Sequence, residues 1–337
     1  MAVYTKLSRI DIETLLAPLT SRPLLDWRGV SAGVENTTYF LTLGEASAMP
    51  DCAPRELVLT IAEHHPREGV IHISQWQRAL AAAGLPVPGP LADAGGRCVH
   101  AVQGKPALVA PRCSGRHPHR PGTAHCAAIG ASLAAMHQVA LGSDTAFPSS
   151  RSLDWLAATA SEVSAHIAND PRSEDTGAQL SQELAWLAAA RPALSQLPHG
   201  IIHGDLFRDN ALFEGDQLTA IIDFFMAGTG PLLLDLAIAI NDWCVADSQP
   251  DAALTGAMLQ AYAAVRQPTP AEQAWWPAAL RLAALRFWVS RLADQMHAEQ
   301  GRPRQGKDPA SMLALLRLRR ASPQPWPQSI VTDRSRI

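Results

Sequence analysis

A change of sequence period near residue 120 constrains the fold of this chain more than any other feature. From residue 123 onward, alanine-rich stretches with leucine at helical spacing follow one another: 123–140, 153–168, 177–190, 232–246, 251–265 and 271–297. One strand-like island, residues 200–225, interrupts them. Within it NALF, EGD and QLTAIIDF read as strand, glycine-containing turn and strand. The first third has the opposite character. Residues 36–43 (NTTYFLTL) and 57–62 (LVLTIA) are rich in β-branched and aliphatic side chains, with Gly44, Pro50 and Pro54 between them. Residues 71–83 predict a helix closed by Gly84, and LPVPGPLADAGGR leads into two further short strands at 98–102 and 107–110. The expected fold class is α+β and bilobal: a small β-rich N-terminal lobe (1–112), a larger mainly helical lobe (113–321) and a loose Pro-rich tail (322–337).

Composition narrows the functions this fold can serve. A formal net charge of −3 provides no basic field for nucleic acid. Only three of the 28 basic residues are lysine: Lys6, Lys105 and Lys307. An anionic ligand must therefore be held by local groups, chiefly arginine. Five cysteines, an odd number without C-x-x-C spacing, predict reduced packing thiols and a cytoplasmic protein. The opening MAVYTKLSRIDIETLL lacks the apolar core of a signal peptide. The apolar run at 230–240 is short and contains Asp235, so no membrane span is expected.

The reactive groups concentrate in the island. His203-Gly204-Asp205-Leu206-Phe207-Arg208-Asp209-Asn210 precedes its first strand, and Asp223 follows its second. A hairpin turning at 214–216 brings Asn210 and Asp223 to the same open end. An amide oxygen and a carboxylate there suit Mg²⁺, which takes few protein ligands alongside phosphate oxygens and water. Asp205 lies on the approach to the same site, placed to accept a hydroxyl proton; phosphoryl transfer from ATP otherwise needs positioning and charge neutralisation. Asp209 is expected only to tune the loop. A metallohydrolase is the competing reading of His203 and Asp205, but His117, His119, His137 and His199 lack ligand spacing.

The form HGD-x-x-x-x-N followed by IIDF resembles the catalytic loop and metal-binding Asp of the protein-kinase-like fold, in the branch of aminoglycoside phosphotransferases and choline kinases. The resemblance implies Asp205 as catalytic base, His203 as a brace for its loop, Asn210 and Asp223 as Mg²⁺ ligands, and Asp235 as the tie between the loop and the next helix. AGVENTTY, residues 32–39, resembles the family's nucleotide loop, making Gly33, Asn36 and Thr37 candidate ATP contacts. The family's phosphate-pairing lysine has Thr60 at its place, with Arg55 or Arg67 as candidate substitutes. Glu68 is the candidate counterpart of that lysine's glutamate partner.

Across residues 32–292, AGVENTTYFLT, GLPVPGPLAD, GKPALV, HGDLFRDNALF, IIDFFMAGTGPLLLDLAIAINDWC and ALRFWVSRL are similar to the kinase-fold homoserine kinases of bacteria. Those proteins carry VLTL-type strands without the usual lysine. The similarity implies ATP-dependent phosphorylation of L-homoserine, on the route to threonine. Such a substrate needs a cation for its carboxylate and an anion for its ammonium; Arg208, Arg286 and Arg291, with Asp242, are the candidates. Trp243, Phe287 and Trp288 are candidate walls of that pocket. Two alternatives stay open: a kinase for choline, an aminoglycoside or a sugar, and a pseudokinase that binds nucleotide without transferring phosphate.

Overall fold

The computed structural model describes residues 4–30, 36–46, 53–168, 173–246, 249–300 and 307–330. They fall into two compact units. Residues 1–116, 212–214 and 219–225 form the first; 117–211, 215–218 and 226–337 form the second. The division lies at 116/117, and parts of the island group with the N-terminal unit.

The first unit is built on a five-stranded antiparallel sheet: β1 (Leu24–Gly29), β2 (Thr37–Leu43), β3 (Glu56–Ile61), β4 (His100–Val102) and β5 (Lys105–Pro111), in the spatial order β1-β2-β3-β5-β4. Burial alternates along β2 and β3, as period-2 sequence requires of a sheet with one covered face. Leu41, Leu57, Leu59, Ile61 and Val109 form that face and pack with Ile12, Leu15 and Leu16 of helix α1 (Arg9–Leu16). Two elements here go beyond the sequence reading. Helix α1 is short, and its start is fixed by a capping box in which Ser8 and Asp11 bond each other's backbone N–H. Strand β1 is largely exposed, so it shows no apolar alternation. Helix α2 (Arg67–Ala82) begins four residues earlier than its composition suggests, because Pro66 supplies an extended N-cap. It closes near Gly84, whose φ of 80° needs a residue without Cβ strain.

The second unit is helical: α3 (Thr123–Leu141), α4 (Leu153–Ile167), α5 (Glu174–Leu194), α6 (Leu232–Trp243), α7 (Ala252–Val265), α8 (Pro270–Glu299) and α9 (Pro309–Ala321). Strand β6 (His199–Ile202) of this unit pairs antiparallel with β9 (Gly228–Pro231); the hairpin of β7 (Ala211–Glu214) and β8 (Gln217–Ile221) groups for the most part with the first unit. Helices α3 and α7 cross closely at Gly130, where a Cβ would fall against the Met258 carbonyl. Helix α3 is also long and apolar enough, by length and composition, to cross a membrane; nearly half of it is buried inside this unit. After α9 the chain is not loose through residue 330, because Trp326 is buried edge-on against Trp276 with ring centroids 5.4 Å apart.

Candidate active site

The chain leaves β6 at His203 and turns sharply through Gly204, whose φ is +77°. A Cβ there would sit 2.7 Å from the Met226 carbonyl, so this position needs glycine. Asp235, fully buried on the first turn of α6, fixes the turn. Its Oδ2 accepts the His203 N–H at 2.7 Å and its Oδ1 the Gly204 N–H at 2.8 Å. Burial acts to raise the Asp235 pKa, but the hydrogen bond from His137, with that from the Gly204 amide, outweighs it and holds the carboxyl below the usual carboxylate range. Through these bonds the carboxylate joins the loop to α6.

Behind it runs a buried polar chain. Glu272 accepts both Nη2 hydrogen bonds of Arg266 at 2.9 and 3.0 Å; Arg266 donates through Nη1 to the Tyr262 hydroxyl at 2.8 Å. That hydroxyl lies 2.7 Å from His137 Nδ1, and His137 Nε2 lies 3.2 Å from Asp235. Because Tyr262 accepts from Arg266, its proton goes to Nδ1, which leaves the Nε2–H for Asp235. Burial pushes the Tyr262 hydroxyl pKa up, keeping that proton in place. Four elements, α3, α6, α7 and α8, thus hold one carboxylate under the loop.

Past the turn, His203 is fully buried and its Nδ1 accepts the Asp205 N–H at 3.2 Å, a brace from inside the loop. Phe207 N–H donates to the Asp205 carbonyl at 2.7 Å, and Trp243 Nε1 donates to Leu206 O at 3.0 Å. Arg208–Asn210 forms a single 3₁₀ turn before β7. Asn210 donates its Nδ2 to the Asp205 carbonyl at 2.7 Å and to Asp205 Oδ2 at 3.1 Å. Both partners are acceptors, so the amide orientation is unambiguous. The nitrogen branch faces Asp205, and the Oδ1 branch remains an oxygen donor suited to a hard cation.

The remaining loop charges pair locally. Arg208 meets Asp242 through backbone N–H and Nε, at 2.7 and 3.1 Å. Lys307 meets Asp209 at 2.8 Å. Arg291 donates to Asp308 O and Ser311 Oγ around the start of α9, at 2.9 and 2.6 Å, apart from Arg286. Arg286 is buried and donates to the Gly204 carbonyl at 2.5 Å. Phe287 packs on Phe207, whereas Trp243 and Trp288 are core. The structure thus gathers His203, Asp205, Asn210, Asp235 and Arg286 around one loop.

Asp223 lies in the first unit, the second residue after β8. It adopts φ +61°, a left-handed conformation that, among the described residues, only one other non-glycine, Gln103, shares. Such strain concentrates at functional positions. In the same unit, Asn36 Oδ1 accepts the Glu63 N–H at 3.3 Å. Thr37 is buried; its hydroxyl donates to Glu63 at 2.5 Å and accepts the backbone N–H groups of Tyr4 and Thr5 at 3.0 and 3.1 Å. Both side chains brace the sheet edge through these bonds. Thr60 stands on β3 between Thr38 and Leu108. Glu68 is exposed at the start of α2, and the lysine–glutamate pair of this unit is instead Lys105 with Glu63. With only three lysines in the chain, that scarcity is the sequence signal that could have singled out Lys105. Arg67 is committed to the Val99 carbonyl and Arg55 to Glu45. Gly33 lies outside the described residues.

Among the described residues no three His, Cys, Asp or Glu side chains cluster as a metal site, the donor set a zinc hydrolase needs. A phosphotransferase loop needs no such cluster. The model of the phosphotransferase enzyme family matches residues 26–276, and the chain belongs to that family. Within it, the chain is similar to homoserine kinases: 39% identical over 293 residues to that of Pseudomonas aeruginosa strain UCBPP-PA14, covering 87% of this chain and 88% of that one. It is 37% identical over 318 residues to the homoserine kinase of Methylobacillus flagellatus, covering 94% and 95%. The fold is shared with solved kinases of low identity. An amicoumacin kinase, in complex with AMP-PNP, Ca²⁺ and Ami, has a TM-score of 0.63 at 18% identity, covering 93% of this chain and 92% of that one. A spectinomycin phosphotransferase, with ADP and spectinomycin, has a TM-score of 0.59 at 10% identity, covering 93% and 94%.

Proposed function

We propose that this chain is a cytoplasmic kinase that transfers the γ-phosphoryl group of ATP to the side-chain hydroxyl of L-homoserine, a step on the route to threonine. The hydroxyl oxygen forms the new bond to phosphorus as the bond to the β-phosphate oxygen breaks, and ADP leaves. The hydroxyl proton goes to Asp205. One observation carries this reading. Asn210 donates to the Asp205 backbone and carboxylate together, holding the acid in a single orientation over its own loop.

Asn210, through its Oδ1, and Asp223 are the residues that would hold Mg²⁺; they flank the β7–β8 hairpin, one before its first strand and one after its second. The ion when bound neutralises charge on the transferring phosphate. Asp235 and the chain of side chains behind it fix the His203–Asp205 turn. Thr60 leaves β3 without a cation, and Lys105 with Glu63 is the one lysine–glutamate pair described in that unit.

A panel of hydroxylated metabolites supplied with ATP and Mg²⁺ tests the reading. Turnover of homoserine, absent in Asp205→Ala while nucleotide still binds, is expected. Turnover of choline, an aminoglycoside or a sugar without homoserine rejects the substrate. Undiminished turnover by Asp205→Ala rejects the base.

A further inference from the structure

A cavity of about 110 Å³ lies inside the second unit, beside the His203–Asp205 turn. Leucines of α4, α6 and α8 form its apolar part, while Arg286, Arg151, Ser149, Ser152, Thr229 and His199 contribute polar groups. No carboxylate lines it. Arg286 is only 4% exposed; among the described residues its guanidinium forms no ion pair and donates to the Gly204 carbonyl. Burial pushes the Arg286 pKa down to about 10, with Arg151 acting in the same direction and Asp205 and Asp235 against it. A buried cation of this kind is costly unless an anion meets it.

The other lining groups share that polarity. Ser152 caps α4, placing the positive end of a 15-residue helix at the cavity. Three hydroxyl oxygens already accept backbone N–H groups: Ser149 from Arg151, Ser152 from Trp155 and Thr229 from Phe147, at 3.1, 3.2 and 3.2 Å. Each hydroxyl, accepting through its oxygen, keeps its proton to donate. The Arg151 guanidinium lies over the Trp155 ring, 4.6 Å from its centroid, and reaches the Ser150 carbonyl at 3.5 Å. Two guanidinium groups, a helix N-terminus and three such hydroxyls are together complementary to a small anion.

We propose that this cavity binds the α-carboxylate of the amino-acid acceptor, with Arg151 and Arg286 as its cations, an inference that rests on the homoserine reading above. Arg286 joins the two functions, since the same guanidinium lines the cavity and holds the peptide that leads into Asp205. The carboxylate anchors the substrate at one end, leaving its hydroxyl end for the base. A phosphorylatable alcohol without a carboxylate would leave the buried charge uncompensated and bind weakly, so the cavity sets specificity as well as affinity.

The test compares homoserine with its carboxamide, which keeps hydroxyl and ammonium but loses the negative charge, in wild type, Arg151→Gln and Arg286→Lys. For wild type, KM for the carboxamide is expected to exceed that for homoserine by about tenfold or more, the scale of one charge-assisted hydrogen bond. Arg151→Gln is expected to raise KM for homoserine by about tenfold, leave kcat within about threefold, and leave the carboxamide KM unchanged. Arg286→Lys, which keeps the charge, is expected to retain the preference for the acid. Equal use of acid and amide by wild type overturns the proposal, as does a shift of both KM values by the same factor in Arg151→Gln. Absence of homoserine turnover in wild type removes the homoserine reading itself, a result distinct from those two.

Discussion

Replacing Asp235 by Asn tests how the catalytic loop is held, because the change preserves shape and removes only charge and one acceptor. The aspartate receives three hydrogen bonds: His203 N–H and His137 Nε2–H on Oδ2, and Gly204 N–H on Oδ1. An asparagine keeps its single oxygen best where two donors converge, which turns its NH₂ against the Gly204 N–H. One charge-assisted hydrogen bond is lost, about 1.5–3 kcal/mol, and two buried donors face each other unsatisfied, about 1–3 kcal/mol. Together these predict a destabilisation of roughly 2.5–6 kcal/mol, which brackets the roughly 3–5 kcal/mol for breaking a buried ionic contact. Urea denaturation followed by tryptophan fluorescence measures it by linear extrapolation. A loss under about 1 kcal/mol would refute the reasoning, since it would mean that the carboxyl is protonated in the folded protein and that Asn mimics it. The pH dependence gives an independent check. The folded pKa lies below the unfolded value of 3.8, so the contribution is complete above about pH 4 and lost as pH falls through the folded value. Asp235→Asn is expected to flatten that acid limb.

Three further outcomes follow from other parts of the molecule. Gly130→Ala drives a methyl group into the Met258 carbonyl across the α3–α7 crossing and is expected to cost roughly 1–3 kcal/mol in the same denaturation assay, with no change in KM. Lys105→Met removes the cation from Glu63, a carboxyl that burial acts to raise but that Lys105, Thr37 and Thr5 hold below its usual range; with Lys105 itself 39% exposed, a loss of about 2 kcal/mol is expected. Because the Glu63 pKa is depressed, that loss appears above about pH 4.5 and fades toward acid. Asp223→Ala is expected to weaken Mg-nucleotide binding by calorimetry while leaving metal-free nucleotide binding unaltered; equal loss in both titrations counts against a metal role.

The part of the site that was legible in the sequence is the part confined to a short segment. HGDLFRDN carries His203, Asp205 and Asn210 within eight residues, and the hairpin after it declares itself through a glycine turn. The supports were not legible. Glu272, Arg266, Tyr262 and His137 come from three helices, and only the packing of α3, α7 and α8 makes a single chain of them. His137 offered nothing by spacing, since its partners lie 98 and 125 residues away. Strand β1 escaped because it is exposed and shows no alternation, and α1 because eight residues give too little periodicity, though its Ser8–Asp11 box was readable. Helix α9 had the same kind of signal in Asp308 ahead of Pro309. At Thr37 the packing adds what the sequence did not show: its hydroxyl lies inside, bound to Glu63.

Phosphorus NMR of the purified protein with ATP, Mg²⁺ and L-homoserine tests the central claim most directly. The expected result is stoichiometric loss of the γ-phosphate signal and growth of a phosphate monoester resonance that coincides with that of added O-phospho-L-homoserine. ATP left intact, or its γ-phosphate released only as inorganic phosphate, would contradict the account.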